Sequence, residues 1–163
     1  VVGGGMPLAV YGGRREVMEK IAPLGPVYQA GTLSGNPLSV AAALATLRLL
    51  DVTVYQKLEE TGRALEVGLR EALEKTKTTG TVQRVGSMLT LFFHPDPVRH
   101  WDDAKTSDTA RFGLFHAGLR ARGIYWPPSQ YEAAFISTAH EPADIERTVA
   151  AARESLAEIE TLN

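Results

Sequence analysis

The stretch Gln29–Leu50, QAGTLSGNPLSVAAALATLRLL, changes character in its middle. Residues 29–37 hold small uncharged groups: two glycines, two hydroxyls and an Asn-Pro pair. Asn36 is a strong helix N-cap, since its side-chain oxygen can accept from amides two or three residues on. Pro37 suits the first helical position, where an N–H would have no partner anyway. From Pro37 the alanine-rich run predicts a helix to about Asp51, apolar nearly all round and therefore buried. For the loop before it, spacing alone leaves two readings open. Its backbone amides and the Thr32 hydroxyl suit a phosphate held without lysine, or the loop serves only the geometry of the cap.

Upstream, VVGGGMP reads as the end of a strand (Val1, Val2) followed at once by a glycine turn, so the chain is expected to be a segment of a longer protein. MPLAVYGG is an extended piece, and RREVMEKIA predicts a short helix with Val17, Met18 and Ile21 on one side, stopped before Pro23. Downstream, Val54 to about Lys77 predicts a charged helix whose Leu58, Leu65, Leu69 and Leu73 form a core stripe. Two extended runs follow around Gly86, with Leu89, Leu91 and Phe93 alternating, and HPDP ends the second. Ser107 or Asp108 caps the helix TARFGLFHAGLRARG, which Gly123 closes. IYWPP and AAFISTAH read as short strands, and Glu141-Pro142 opens a last helix to about Leu162. The second half is thus expected to be β-β-α-β-β-α, helices on a small, largely antiparallel sheet.

Several function classes drop out. A net charge of −2 over 163 residues gives no electrostatic case for nucleic acid or an anionic membrane. The densest basic grouping, Arg120 and Arg122 with the more distant Arg111, reads as the solvated side of a helix. The absence of cysteine removes disulfides and thiolate metal sites and fits a reducing cytosol. There is no apolar run long enough for a membrane span and no signal-peptide pattern. GGGMPL fails the dinucleotide fingerprint because Leu8 stands at its last position, and no phosphate-loop lysine motif occurs. His94, His100, His116 and His140 share no metal-ligand spacing, so no metal is expected. LSGN lacks the nucleophile-elbow pattern.

Taken together, VVGGGMPLAVYGGRREVMEKIAP, GPVYQAGTLSGNPLSVAAALATL and GIYWPPSQYEAAFISTAHEPADIERTVAAARE closely resemble the glutamate-1-semialdehyde 2,1-aminomutase family, within the class III aminotransferases of pyridoxal-phosphate fold type I. The likeness runs over nearly the whole chain in order, and AGTLSGNP and PSQYEAAFISTAH are its most specific pieces. Other class III enzymes share the glycine turn and a GGNP-like loop but not the PSQ-aromatic-E run. The resemblance implies an α/β fold: the C-terminal part of a large cofactor-binding domain (residues 1–50), a connecting helix (51–78) and a small α/β domain with a mainly antiparallel sheet (79–163).

It further implies pyridoxal 5'-phosphate and pyridoxamine 5'-phosphate as cofactors. The Schiff-base lysine would lie just before Val1, so no catalytic residue is expected within this segment. Gly31 and Thr32 would contact the cofactor phosphate across a homodimer interface, in the neighbouring subunit's site. Glu132 stands between Tyr131 and Ala133, in an apolar context where an unpaired carboxylate is costly. An ion pair or a strand-start cap would answer that cost, whereas the resemblance implies a place on the substrate side. Ser129 and Gln130 share its motif without an assigned chemistry. Tyr131 and Trp126 depart from the residues commonest in the family but keep apolar bulk.

The implied reaction is intramolecular amino transfer, converting the small molecule (S)-4-amino-5-oxopentanoate to 5-aminolevulinate for tetrapyrrole synthesis in the cytoplasm. The nearest alternative is a class III aminotransferase acting on an ω-amine or β-amino acid. The lack of arginine from Gly123 to Ile145 weighs against its dicarboxylate co-substrate. A non-catalytic assembly module is the other alternative. By itself the segment is expected to fold poorly.

Overall fold

The computed structural model describes residues 2–161. They fall into two compact units, one ending at Val52 and the other beginning at Thr53.

In the first unit the glycine turn is fixed by sterics. Gly4 and Gly5 have φ of +57° and +89°, a region open chiefly to glycine. A Cβ on Gly4 would also lie 2.6 Å from Thr46 Oγ1 and 3.1 Å from the Ala42 carbonyl oxygen. The turn therefore packs directly on the Ala42–Thr46 face of the helix Pro37–Leu49. Val2 belongs to this turn and not to a strand, and Val1 lies outside the described residues. Helix α1, Arg15–Met18, is one turn long, shorter than the expected run. The backbone of Lys20 and Ala22 is instead drawn into pairing with Val27, at 2.9 and 2.8 Å.

Helix α2, Pro37–Leu49, starts at the expected cap: Asn36 Oδ1 accepts from the amides of Leu38 and Ser39 at 3.1 and 3.2 Å. The expected burial does not hold within this chain. Only Ser39 and Ala43 are buried, while Leu38, Leu44, Leu47 and Leu49 are 49–73% exposed. An apolar face states that burial is favourable, not what covers it, and within this unit the glycine turn covers one narrow side.

The second unit runs α3 (Val52–Thr76), β1 (Thr81–Val85), β2 (Met88–Phe92), α4 (Trp101–Ala104), α5 (Thr109–Ala121), β3 (Ala134–Phe135) and α6 (Pro142–Thr161). Its sheet is antiparallel in the order β1-β2-β3. A two-residue turn joins β1 to β2 through Gly86 at φ +58°. Leu65, Leu69 and Leu73 from α3 meet Leu89, Leu91 and Phe93 in the core, with Phe112, Phe115 and Leu119 of α5 and Leu156 of α6. Leu162, the expected end of α6, lies outside the described residues.

Close helix approach is set by glycines. A Cβ on Gly68 of α3 would lie 2.3 Å from Val149 Cγ2, and one on Gly118 of α5 would lie 2.8 Å from Ser155 Cβ, both partners being on α6. Asp108 caps α5 by accepting from the Arg111 amide at 2.9 Å. Gly123, at φ +77°, ends that helix in a Schellman motif: its amide bonds the Arg120 carbonyl and the Ile124 amide bonds that of Leu119. Arg122 and Arg111 do not simply face solvent. They pair with Glu154, Glu158 and Glu160 and tie α5 to α6.

Arg84 of β1 is gripped by Glu59 and Glu66 of α3, with Nε to Glu66 at 2.7 Å and a two-pronged contact to Glu59 at 2.8 and 2.9 Å. Hydrogen bonds from this guanidinium hold both carboxyls below their ordinary range. The order is β-β-α-α-β-α and not the expected β-β-α-β-β-α. Helix α4 was not anticipated, AAFISTAH is a strand only at Ala134–Phe135, and IYWPP is not a strand, because Pro127 and Pro128 have no N–H to give a ladder. Trp126 is buried regardless, and its carbonyl accepts from His116 Nε2 at 3.2 Å.

Candidate functional site

The Gly31–Asn36 loop is two overlapping turns. The Ser34 amide bonds the Gly31 carbonyl at 2.9 Å and the Asn36 amide bonds that of Leu33 at 3.1 Å. Gly35 needs its freedom, at φ +70°. A Cβ on Gly31 would come within 2.9 Å of Ser34 Oγ, so a larger residue would crowd the inside of the turn. The amides of Thr32, Leu33 and Gly35 and the Thr32 hydroxyl have no acceptor among the described residues, and all four are exposed. The start of α2 is different: Pro37 has no N–H, and Asn36 already occupies the next two amides. The loop thus offers several neutral donors that precede the helix end in the chain. Donors of this kind suit a multiply charged oxyanion, each charge-assisted bond contributing ~1.5–3 kcal/mol.

Gly31 and Thr32 lie in the first unit and Glu132 in the second. Within the second unit Glu132 lines an open groove of about 750 Å³, whose walls include Tyr125, Trp126, His140, Asp144 and Arg147. It is exposed, and neither an ion pair nor a cap restrains its carboxylate among the described residues. The apolar neighbours in the sequence therefore do not enclose it. Its backbone is held instead: the amide donates to the Ser129 carbonyl at 3.2 Å, and the carbonyl accepts from Thr90 Oγ1 at 3.3 Å. Tyr131 packs its ring on Trp101 of α4, centroids 5.2 Å apart.

Gln130, to which the sequence assigned no chemistry, is the most firmly held residue of this loop. It is 2% exposed, donates from Nε2 to the Leu91 carbonyl at 2.8 Å and accepts the Phe93 amide at Oε1, 3.2 Å away. A polar residue between two prolines and an aromatic gives no periodic signal, and only the β2 edge reveals its task. His140 is also ordered by the backbone. The Ser137 amide donates to its Nδ1 at 3.0 Å, so the neutral ring carries its proton on Nε2. Among the described residues no group of three His, Asp or Glu side chains is placed to hold a metal ion, and no single helix is long and apolar enough to cross a membrane.

The sequence pattern of the aminotransferase class-III family matches residues 1–127. Among curated proteins, the glutamate-1-semialdehyde 2,1-aminomutase of Sorangium cellulosum is 66% identical over 96% of this chain and 36% of its own length. That of Thermus thermophilus is 56% identical over 96% of this chain and 37% of its own length. The chain therefore spans little more than a third of the relatives it matches. Among solved structures, an omega-transaminase from Sphaerobacter thermophilus superposes with a TM-score of 0.82 at 28% identity, covering 98% of this chain and 37% of that one. A glutamate-1-semialdehyde-aminomutase from Pseudomonas aeruginosa in complex with PMP gives 0.72 at 27% identity, over 80% of this chain and 29% of that one. With its described residues in that fold and its sequence matching the family pattern over 127 of 163 positions, this chain belongs to the class III aminotransferases.

Proposed function

We propose that this chain is the C-terminal part of a pyridoxal-phosphate-dependent aminomutase that converts (S)-4-amino-5-oxopentanoate to 5-aminolevulinate. The observation that carries the reading is the 66% identity to an aminomutase over 96% of the chain. The likeness of fold does not choose between activities, because transaminases and an aminomutase superpose at similar identity. Along the sequence the two loops that carry the most specific motifs, AGTLSGNP and PSQYEAAFISTAH, favour the aminomutase.

Pyridoxal phosphate, when bound, supplies the carrier for the amino group and the electron sink that the proton shifts need. The chain's own residues fit the phosphate end of that group. Gly31 lets the backbone close tightly, and the amides of Thr32, Leu33 and Gly35 and the Thr32 hydroxyl are neutral donors with no acceptor among the described residues. Such donors hold a dianion without contributing a positive charge that would compete with the reacting end. We assign Gly31 and Thr32 to this contact, made across a homodimer interface to the neighbouring subunit's site. Glu132 is assigned to the substrate side, where an exposed carboxylate on a fixed backbone can orient an amino group or hold a proton. In the same reading residues 1–50 end a large domain, 51–78 form a connecting helix and 79–163 a small domain, in a cytoplasmic enzyme.

The test uses the intact parent protein in its pyridoxamine form, given the semialdehyde with no oxo-acid acceptor. The expected result is stoichiometric 5-aminolevulinate. Turnover that requires an added oxo acid would establish an intermolecular aminotransferase and overturn the reading.

A further inference from the structure

Strand β3 is two residues long, paired as Met88↔Phe135 and Leu89↔Ala134. Extending that antiparallel register by five residues, from Met88 to Phe93 and from Phe135 back to Gln130, sets Gln130 opposite Phe93. The backbone there has left the sheet: Ser129 and Glu132 close a turn, and Pro127 and Pro128 precede it. The edge of β2 nevertheless remains paired, because the Gln130 carboxamide gives a donor to the Leu91 carbonyl and an acceptor to the Phe93 amide. A primary amide carries the same two functions as a peptide group, so one side chain stands in for the missing length of strand.

We infer that Gln130 is a positioning residue, whose side chain completes the edge of β2 and thereby fixes the turn that presents Glu132 to the groove. The inference rests on the proposed role of that groove as the substrate side. Its geometry is independent of that role. Gln130 is the buried anchor, Thr90 Oγ1 holds the Glu132 carbonyl, and the Tyr131 ring rests on Trp101. The exposed Glu132 carboxylate is what remains free to act.

The informative substitution is Gln130→Glu in the intact protein. A protonated glutamic acid keeps both functions, an O–H for Leu91 and a carbonyl for Phe93, whereas the carboxylate has no donor and repels the Leu91 carbonyl. Burial raises a glutamate from about 4.3 by up to ~3–5 units, so raising the pH from 6 to 9 shifts the variant from the protonated toward the ionised form. Relative to wild type at the same pH, it should be near normal at pH 6. At pH 9 it should lose about ten- to a hundredfold in turnover, the scale of a displaced catalytic group. The loss should return on acidification. In a Glu132→Gln background the same loss should largely vanish, since one residue acts through the other. Hydrogen exchange should show the Phe93 amide and residues 131–133 losing protection at pH 9 only. Gln130→Met removes both bonds without burying a charge and should show the same non-additivity at a single pH, should the glutamate variant unfold when ionised.

Additive losses, or a Glu132→Gln variant with full activity, overturn the inference. If the wild-type parent does not isomerise the semialdehyde, the functional reading fails. Hydrogen exchange then decides positioning alone: unchanged protection at residues 131–133 in both variants refutes it, and lost protection upholds it.

Discussion

Gly118→Ala pits a local gain against a tertiary clash, and the distances decide the sign. Alanine in a helix interior is favoured over glycine by about 1 kcal/mol. The new Cβ would lie 2.6 Å from Ser155 Oγ and 2.8 Å from Ser155 Cβ. The hydroxyl can rotate away, but the Cβ is fixed by the backbone of α6. Ordinary contact begins near 3.4 Å, so α5 and α6 must part by about 0.6 Å. Ser155 is 1% exposed, and the parting opens a packed interface that includes Leu119 and Ala152, both fully buried. Overpacking of this kind costs about 1–3 kcal/mol, leaving a net loss of up to about 2 kcal/mol after the helix gain. Because a multi-unit protein need not unfold in one step, the assay is hydrogen exchange at the Leu119 and Ala152 amides of the intact protein. Ser155→Ala should not rescue Gly118→Ala, since its Cβ remains. Ser155→Gly should rescue it, with a coupling of at least about 1 kcal/mol. Equal rescue by alanine and glycine, or an increase in protection from Gly118→Ala alone, would refute the contact geometry.

Arg84→Met should lower the stability of the second unit at pH 7. Glu59 and Glu66 have folded pKa values depressed from 4.5 by hydrogen bonds to this guanidinium, so the stabilisation is present above that value and fades as pH falls through the lower folded values. The gap in urea midpoint between wild type and variant should therefore narrow below about pH 4.5; a constant gap down to pH 3 would contradict the assignment. Asn36→Ala removes the acceptor of two amides and should cost about 1 kcal/mol in the local stability of α2, read by hydrogen exchange at Val40 to Ala43. Thr32→Val in the intact protein should weaken cofactor retention by about ten- to a hundredfold, the equivalent of one charge-assisted bond. Unchanged cofactor occupancy after dialysis would count against the phosphate contact.

Features that depend on neighbours in sequence were legible without coordinates. The Asn36 and Asp108 caps, the Gly123 helix end and the Gly86 turn each follow from one residue's hydrogen-bonding groups or φ freedom. The Leu65, Leu69, Leu73 stripe and the alternation of Leu89, Leu91 and Phe93 are periodic, and period alone names the face turned inward. What was missed depends on residues far apart in the chain. The burial of α2 could not be judged from its own composition, because Leu38, Leu44, Leu47 and Leu49 remain open within this unit. IYWPP has a strand-like composition, yet two prolines deny it a ladder while Trp126 still packs. Gln130 and Glu132 stand two residues apart in one apolar stretch, and the fold buries the amide and exposes the acid. Nothing local to the sequence predicts that exchange.

The two side chains that dominate the Gly31–Pro37 loop, Thr32 and Asn36, have separable duties. A helix N-terminus is an anion site because its first amides are unpaired and its dipole points outward. In α2 the first of those amides is absent at Pro37 and the next two are taken by Asn36. The helix end has been closed by the chain itself, so the cap reading is correct for Asn36 and says nothing about Thr32. Among the described residues the unpaired amides lie earlier in the chain, at Thr32, Leu33 and Gly35. Under the proposed function, Thr32→Val should therefore weaken cofactor retention and leave α2 protected, and Asn36→Ala should do the reverse. If Asn36→Ala released the cofactor as readily as Thr32→Val, the loop would be acting only as a frame for the helix, and the phosphate contact would have to be sought elsewhere.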